Sequence, residues 1–438
     1  MPTWTNWAHQ QRCAPAAIER PRSEEEVAAA VRVAARCGLR VRAAGSGHSF
    51  TDAACTDGVM LDLARMHRVL DTDAASGLVR VQPGITLNAL GRELAARGLA
   101  LENQGDIDAQ TLAGALATAT HGTGARFGNL SSRIEAMRVV TGAGEPVELT
   151  PASDDEGLRA ARVGIGATGI VTELTLRCVP LFTLRRVDQP RPLADTLERL
   201  DEHVDGNDHF EFWAFPYSNV VLCRFSERLD SEPRGGRNWG AWAQENLLEN
   251  AALGVVFRLG RRAPRAIPRL NRLVCRATSG SVKEDRSWRV FATKRAVRFT
   301  EMEYAIPRAH AREAAERVLE LVEHRRLPVG FPIEVRFTAA DDAFLSTAHG
   351  RETAYIAVHQ FVGMEYESYF RAVERIMDDY DGRPHWGKRS YQTAATLAGR
   401  YPEWERFQAA RARLDPAGTF ENDYTERVLG PVASAVAA

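Results

Sequence analysis

Gly164-Ile165-Gly166-Ala167-Thr168-Gly169-Ile170-Val171-Thr172 carries the Gly-x-Gly-x-x-Gly spacing of a dinucleotide fingerprint, and its neighbours decide what that spacing means. The Rossmann arrangement requires a strand, a glycine turn and then a helix, so that a helix N-terminus faces the pyrophosphate. Here the order is reversed. A helical stretch from Asp154 to Arg162 precedes the glycines, and the β-rich run Ile170 to Leu176 follows them. The context argues against a Rossmann turn and predicts a glycine loop feeding a strand, whose backbone amides can still meet a cofactor.

Two further segments share this grammar of glycines, hydroxyls and a histidine. Gly45-Ser46-Gly47-His48-Ser49-Phe50 leaves a short predicted strand, Leu39 to Ala43, and can aim several backbone N–H groups at an anion. Read alone, the segment favours a surface turn with an incidental histidine. Residues 108–124 are nearly free of charge, and the run Thr118-Ala119-Thr120-His121-Gly122-Thr123-Gly124 would let a ligand or another backbone approach closely. A tightly packed buried helix is the competing reading of that stretch.

The rest of the chain fits an α+β protein of two unequal domains, since 438 residues exceed one comfortable core. Ser23 and Glu26 read as a capping box for a helix with the stripe Val27, Ala30, Val31 and Ala34, closed by Gly38. Strands at Val59 to Leu63 and Leu78 to Gln82 and a helix from Thr86 to Ala96 continue an alternation of short elements to about Pro180. Beyond it, aromatics alternate in Phe210 to Phe215, as in a strand with one buried face. A βαββα order follows: Glu301 to Ile306, Ala309 to His324, Ile333 to Thr338, Thr353 to Phe361 and Tyr366 to Tyr380. It predicts a sheet with helices on one face. The expected division is 1–180, 181–380, and a segment 381–438 that packs back on the first domain, ending in the featureless tail 432–438.

With 56 basic against 57 acidic residues, the whole chain supplies no field to draw in nucleic acid or an anionic membrane. A small-molecule partner is expected. The six cysteines contain no Cys-x-x-Cys pair, the N-terminus lacks a basic segment followed by an apolar one, and no apolar run spans a bilayer. These features predict reduced thiols, no metal site and a cytoplasmic location.

Two downstream patterns complete the picture. In Pro332-Ile333-Glu334-Val335-Arg336, strand periodicity puts Ile333, Val335 and Phe337 on one face, so Glu334 and Arg336 must share the other. His359 lies on one face of the next strand with Tyr355 and Ala357. The stretch Arg383-Pro384-His385-Trp386-Gly387-Lys388 stands in a loop-rich region.

Taken together, these segments resemble the vanillyl-alcohol-oxidase-type flavoproteins, in their aldonolactone oxidase and alditol oxidase branch, along most of the chain. The resemblance implies a two-subdomain FAD-binding domain of the PCMH type with an antiparallel-sheet cap that carries the substrate. It implies FAD held by Gly45, Ser46, Gly47, His48 and Ser49, by Thr118, Thr120, His121, Gly122 and Gly124, by Gly164, Gly169, Ile170 and Val171, and by His385. It further implies that His48 carries the flavin covalently. Lys388, Arg336 and Glu334 would be catalytic, while Asp106, His359 and Gly105 would contact the substrate, with Gly105 leaving room for oxygen. The implied reaction oxidises a sugar 1,4-lactone, of the L-gulono or D-arabinono type, at its C2 alcohol by hydride transfer to flavin N5, giving an ascorbate-like product. Oxygen or another redox acceptor would take up the electrons. Two departures stand out: Ala119 replaces a common glycine, and Asp106 stands where alditol oxidases have serine. An alditol oxidase and a flavin carrier without catalysis are the competing functions.

Overall fold

The computed structural model describes residues 2–230, 250–293 and 297–432; the end of the tail, 433–438, lies outside them. Near the N-terminus, a parallel three-stranded sheet orders Ala17–Glu19, Val59–Asp62 and Val41–Ala44. The helix Glu24–Arg36 packs on it through Val27 and Val31. The capping box expected there is half formed. Ser23 accepts from the Glu26 amide, but the Glu26 carboxylate takes the Arg22 amide instead.

An antiparallel five-stranded sheet follows, in the order Pro146–Leu149, Ile134–Val140, Ile170–Arg177, Leu78–Val81 and Val69–Asp73. The helix Asp155–Ala161 precedes the glycine loop and the strand Ile170–Arg177 follows it, as the reversed Rossmann order predicts.

The second half forms an eight-stranded antiparallel sheet. Its order is Ser281–Arg286, Thr183–Pro192, Val220–Leu229, His209–Ala214, Ile333–Thr338, Thr353–Phe361, Phe299–Pro307 and Arg383–Pro384. The helices Ala311–His324 and Glu367–Asp378 cover one face, where Met302, Tyr304, Ile306, Ile333, Val335, Phe337, Ile356 and Val358 form a continuous core. Each such side chain contributes about 1.5–3 kcal/mol by leaving water. The strand His209–Ala214 differs from expectation, for all six residues are buried. Its other face is not solvated but turns inward, and the same holds for Phe299–Pro307 and Ile333–Thr338.

One buried side chain ties the loops of the first half together. Arg42 leaves the strand Val41–Ala44 and donates to the carbonyls of Ala53, Ile165, Gly166 and Phe420. Burial lowers this guanidinium to about 10, because its partners are neutral carbonyls rather than a contacting carboxylate. The same region holds two residues in the left-handed conformation, Ala119 at φ 59° and Ile165 at φ 53°. Ala119 therefore occupies a backbone position that glycine adopts without cost.

Among the described residues no helix is long and apolar enough to cross a membrane. Residues 404–425 pack against the first half: Asn422 donates to the carbonyls of Asp52, Ala53 and Cys55, and Arg413 pairs with Asp154. Replacing Arg42 by methionine takes the donor from three buried carbonyls, since Asn422 still serves Ala53. Each stranded group costs about 1–3 kcal/mol, so Arg42→Met should lose about 3 kcal/mol or more, read as a clear drop in thermal midpoint.

Candidate active site

The glycine loops and the inward face of the large sheet enclose two adjoining cavities. The first is a slot lined by Gly45, Ser46, Gly47, His48, Ser49, Thr118, Gly164, Gly169 and Val171. Its walls approach closely enough that a side chain at either of two glycines would collide: a Cβ on Gly45 would stand 2.2 Å from Thr111 Oγ1, and one on Gly164 2.2 Å from Thr168 Oγ1. Ser46 Oγ accepts from the Thr111 amide, fixing the first loop to the second.

The second cavity, about 680 Å³, is lined by Gly105, Asp106, Thr120, His121, Glu334, Arg336, His359, His385 and Lys388. His48, Ser49 and Thr118 line both cavities and mark where they join. Of the residues singled out from sequence, Gly122, Gly124 and Ile170 line neither. Gly122 packs against Asn103, Gly124 bridges to the strand Ile333–Thr338, and Ile170 is buried in the core of the small sheet. Gly105 does face the chamber, but a Cβ there would stand 2.8 Å from the His121 carbonyl. A larger residue would press on backbone and not merely narrow a channel.

Inside the chamber the ionisable groups form two clusters. In the first, Lys388 Nζ lies 2.5 Å from Glu301 Oε1 and 2.8 Å from Glu303 Oε2. Burial alone would drive this ammonium down; the two carboxylates outweigh it and hold Lys388 above its ordinary range. Burial would raise Glu301, yet Lys388 and then His359 bring it down to about 2. Glu303 is held well below the usual carboxylate range against its burial by Lys388 and His121. The His359 Nε2 stands 3.3 Å from Glu301, whereas its Nδ1 is buried without a partner.

His385 is pushed down to about 3 by burial and by the Lys388 charge. Its Nδ1 accepts the Gly387 amide at 3.0 Å, which requires an unprotonated nitrogen there. His121, Glu303 and His385 lie near enough to share a cation, with ligand atoms within 4.8 Å of one another. The chemistry is wrong for one: Lys388 already occupies Glu303, and His385 Nδ1 is engaged as an acceptor, which places the proton on Nε2.

The second cluster surrounds Arg336. Its guanidinium meets Glu334, lies 2.8 Å from Asp106 Oδ1 and 2.8 Å from Glu211 Oε2, and is held far above its ordinary range despite burial. Burial raises Glu211 to about 7 in spite of Arg336 beside it. Arg224 closes the cluster from behind, 3.1 Å from Glu211 and 2.7 Å from Asp188.

Sequence reasoning missed Glu301, Glu303, Glu211 and Arg42. The signal for the first two was present, because Glu301 and Glu303 alternate with Met302 and Tyr304 as Glu334 and Arg336 alternate with Val335 and Phe337.

His48 sits at the junction with its ring stacked on Trp7 at 5.5 Å. Burial lowers its pKa, opposed by Asp108, so the ring is neutral at pH 7. The loop bearing it is clasped to the Lys388 loop, for the Phe50 amide donates to the Gly387 carbonyl at 2.7 Å.

Two family models and several known proteins match this chain. The family described as D-arabinono-1,4-lactone oxidase matches residues 174–428, and the FAD binding domain family matches residues 15–150. The L-gulono-1,4-lactone dehydrogenase of Mycobacterium tuberculosis is 60% identical over 98% of this chain and 100% of its own. The L-gulonolactone oxidase of Bos taurus is 33% identical over 97% of each chain. An alditol oxidase of a Streptomyces species is 30% identical over 97% of this chain and 98% of its own. A solvent-stable cholesterol oxidase has the same fold, with a TM-score of 0.82 at 20% identity over 97% of this chain and 96% of its own. The fold is thus the PCMH-type FAD-binding fold with an antiparallel-sheet cap.

The buried neutral imidazole of His385 has a measurable consequence. Its folded pKa of about 3 lies below its unfolded value near 6.5, so its contribution to stability is present above pH 6.5 and is lost as pH falls towards 3. Glu211 acts with the opposite sign: its raised pKa costs stability as pH rises from about 4.5 to 7. Comparison with a variant separates the two. The difference in stability between wild type and His385→Asn should shrink as pH falls from 6.5 to 3; a constant difference across that window would overturn the assignment.

Proposed function

We propose that this chain, which belongs to the D-arabinono-1,4-lactone oxidase family, oxidises a sugar 1,4-lactone of the L-gulono or D-arabinono type at its C2 alcohol, with FAD as cofactor. The observation that carries the reading is Lys388, an ammonium clamped by Glu301 and Glu303 in the chamber, facing the Arg336 cluster across it. The slot fits FAD: glycine walls that admit no Cβ and hydroxyls at Ser46, Ser49 and Thr118 suit a pyrophosphate, and the adjoining chamber has room for flavin ring and sugar. When bound, FAD supplies the two-electron acceptor for the carbinol C–H.

The residues then divide the remaining work. An ammonium with a raised pKa cannot serve as a base, so Lys388 donates to the substrate oxygen and stabilises negative charge as its proton leaves. His359, whose Nε2 stands 3.3 Å from Glu301, lines the chamber wall and is placed to contact the substrate. Arg336 presents fixed positive charge, and Glu334 and Asp106 hold its fork in place. Asp106, engaged by Arg336, lines the chamber at the position where the resemblance places the serine of alditol oxidases, which favours the lactone over an extended polyol.

In this reading residues 1–180 hold the cofactor, 181–380 form the substrate-carrying cap, and 381–438 return to the first unit with Lys388. His48 would hold the flavin covalently: its neutral ring nitrogen stands at the junction of slot and chamber, and a bond from it to the methyl carbon of the flavin ring would release one N–H and one C–H hydrogen as protons, with the electron pair taken up by the flavin and passed to the redox acceptor. A yellow protein pellet after acid precipitation, absent in His48→Ala, is the expected result; a colourless wild-type pellet would leave the tether without support.

The function itself is tested by anaerobic mixing of the FAD-loaded protein with L-gulono-1,4-lactone, D-arabinono-1,4-lactone and a set of alditols. The lactones should bleach the flavin. Lys388→Met should slow bleaching roughly a hundredfold, the scale for losing one preorganised electrostatic group, at unchanged FAD content. Bleaching by alditols alone would assign the other substrate class, and no bleaching at all would mark a carrier.

A further inference from the structure

Arg336 ends a row of alternating charge that crosses the large sheet. Asp188 lies opposite Arg224, Arg224 opposite Glu211, and Glu211, one step on from the pair Phe212 and Val335, opposite Arg336. The side chains meet in that order at 2.7, 3.1 and 2.8 Å. Arg186 joins the row 3.2 Å from Asp188, and Asp106 and Glu334 close it around Arg336. The helix Ser287–Phe291 brings only the apolar Val290 and Phe291 against it. His209, on the same strand as Glu211, adds no charge: its Nδ1 meets the Thr123 carbonyl at 2.7 Å, and burial holds the ring down to about 4. The carboxyls of Asp106, Asp188, Glu211 and Glu334 thus face the guanidinium groups of Arg186, Arg224 and Arg336. Fully ionised, the buried cluster is one negative charge in excess, and one proton would make it neutral.

Behind Arg336 lies a cavity of about 20 Å³ whose lining includes Gln104, Asp106, His209, Glu211 and Arg336. Gln104 is 3% exposed, yet neither its Oε1 nor its Nε2 meets a hydrogen-bond partner, and His209 Nε2 is in the same position. Buried amides are seldom left so, and about 10–15 Å³ of such space suffices for one water. The cavity is a water site. Among its lining residues, Asp106 and Arg336 alone also line the chamber, so these two form the partition between them.

We propose that Glu211 stores the proton of the substrate hydroxyl, handed on by Asp106 and one water in this cavity. The proposal rests on the reaction assigned above, in which the carbinol C–H leaves with its electron pair and the O–H must therefore release a bare proton. Lys388 offers the oxygen donors only, so that proton points away from it, and Glu301 and Glu303 are already engaged by Lys388. Of the two carboxylates across the chamber, Asp106 reaches the rear cavity and Glu334 does not. As the hydroxyl O–H breaks, an Asp106 oxygen takes the proton and passes it to the water, which yields one of its own to a Glu211 oxygen. Asp106 and the water are restored, and Glu211 alone ends protonated. That proton removes a buried charge, whereas one placed on His209 would create one.

Two measurements on the FAD-loaded protein test this. Without substrate, the infrared band of a protonated carboxyl should fade as pH rises through about 7 and be missing from Glu211→Gln. With L-gulono-1,4-lactone in the absence of air, the wild-type bleaching rate should rise through the same pH, because Glu211 must be empty to receive the proton. Glu211→Gln should lack that rise, bleach roughly a hundredfold more slowly at pH 8, and release to an indicator dye one proton more per flavin than wild type, at unchanged FAD content. Gln104→Met, which dries the cavity and leaves Glu211 in place, should keep the infrared band and the wild-type proton count yet bleach as slowly. Equal proton counts in wild type and Glu211→Gln at pH 8 overturn the relay and leave the lactone reaction standing. So do a missing infrared band, a pH-dependent rise retained in Glu211→Gln, or normal bleaching by Gln104→Met. Failure of every lactone to bleach the flavin removes the reaction and the relay together.

Discussion

Charge cannot be left uncompensated in a sheet that is buried on both faces, and this constraint organises the molecule. The inward face of the eight-stranded sheet carries Glu211, Glu301, Glu303, Glu334 and Arg336, all buried. Removing one partner from such a group costs about 3–5 kcal/mol, because the other is stranded out of water. The sheet alone does not balance. Glu301 and Glu303 need Lys388, which comes from the last stretch of the chain, and Arg336, already set between Glu334 and Glu211, also holds Asp106 of the first half. These ion pairs bring three distant stretches of chain into one place, and the chamber is the space they leave between them.

The slot depends on a different economy, in which backbone comes close to backbone. Arg42 satisfies carbonyls from the His48 loop side, from the glycine loop and from the C-terminal segment with one guanidinium. Ala119 and Ile165 hold left-handed backbone in the same neighbourhood, and the Ile165 amide donates to the Ala117 carbonyl. Conformations of that kind persist only where packing over-determines them, and Ala119, Ile165 and Trp386 share one buried cluster. The slot is a stiff, preformed cradle.

This division explains what could be read from the amino-acid sequence. The strand Ile333–Thr338 was legible to the residue because its apolar positions alternate without interruption, and Thr353–Phe361 because an apolar run from Ala354 to Val358 marks a strand buried on both faces. The same alternation misled at Phe210 to Phe215, where polar positions were taken to face water; nothing local distinguishes a solvated carboxylate from one buried against a distant cation. Glu301 and Glu303 were overlooked for that reason, since their counter-charge lies 87 and 85 positions away at Lys388. Lys388, Arg336 and His48 were found through family resemblance. Arg42 had no such motif, and its role depends on loops that meet only in three dimensions. Gly105 was legible as a small residue beside the chamber, but the direction its side chain would take, towards the His121 carbonyl, follows only from the folded backbone.

The segment that delivers Lys388 also finishes the sheet. Arg383 and Pro384 pair with Ala305 and Tyr304, and the amides of His385 and Arg389 donate to the carbonyls of Glu303 and Glu301. The outer side of Phe299–Pro307 is thereby covered along Glu301 to Ala305. Were that segment to peel away, a strand rich in apolar residues would be left with unpaired peptide groups, the kind of edge that recruits another chain. Loss of the ammonium from the chamber and exposure of that edge would then be one event.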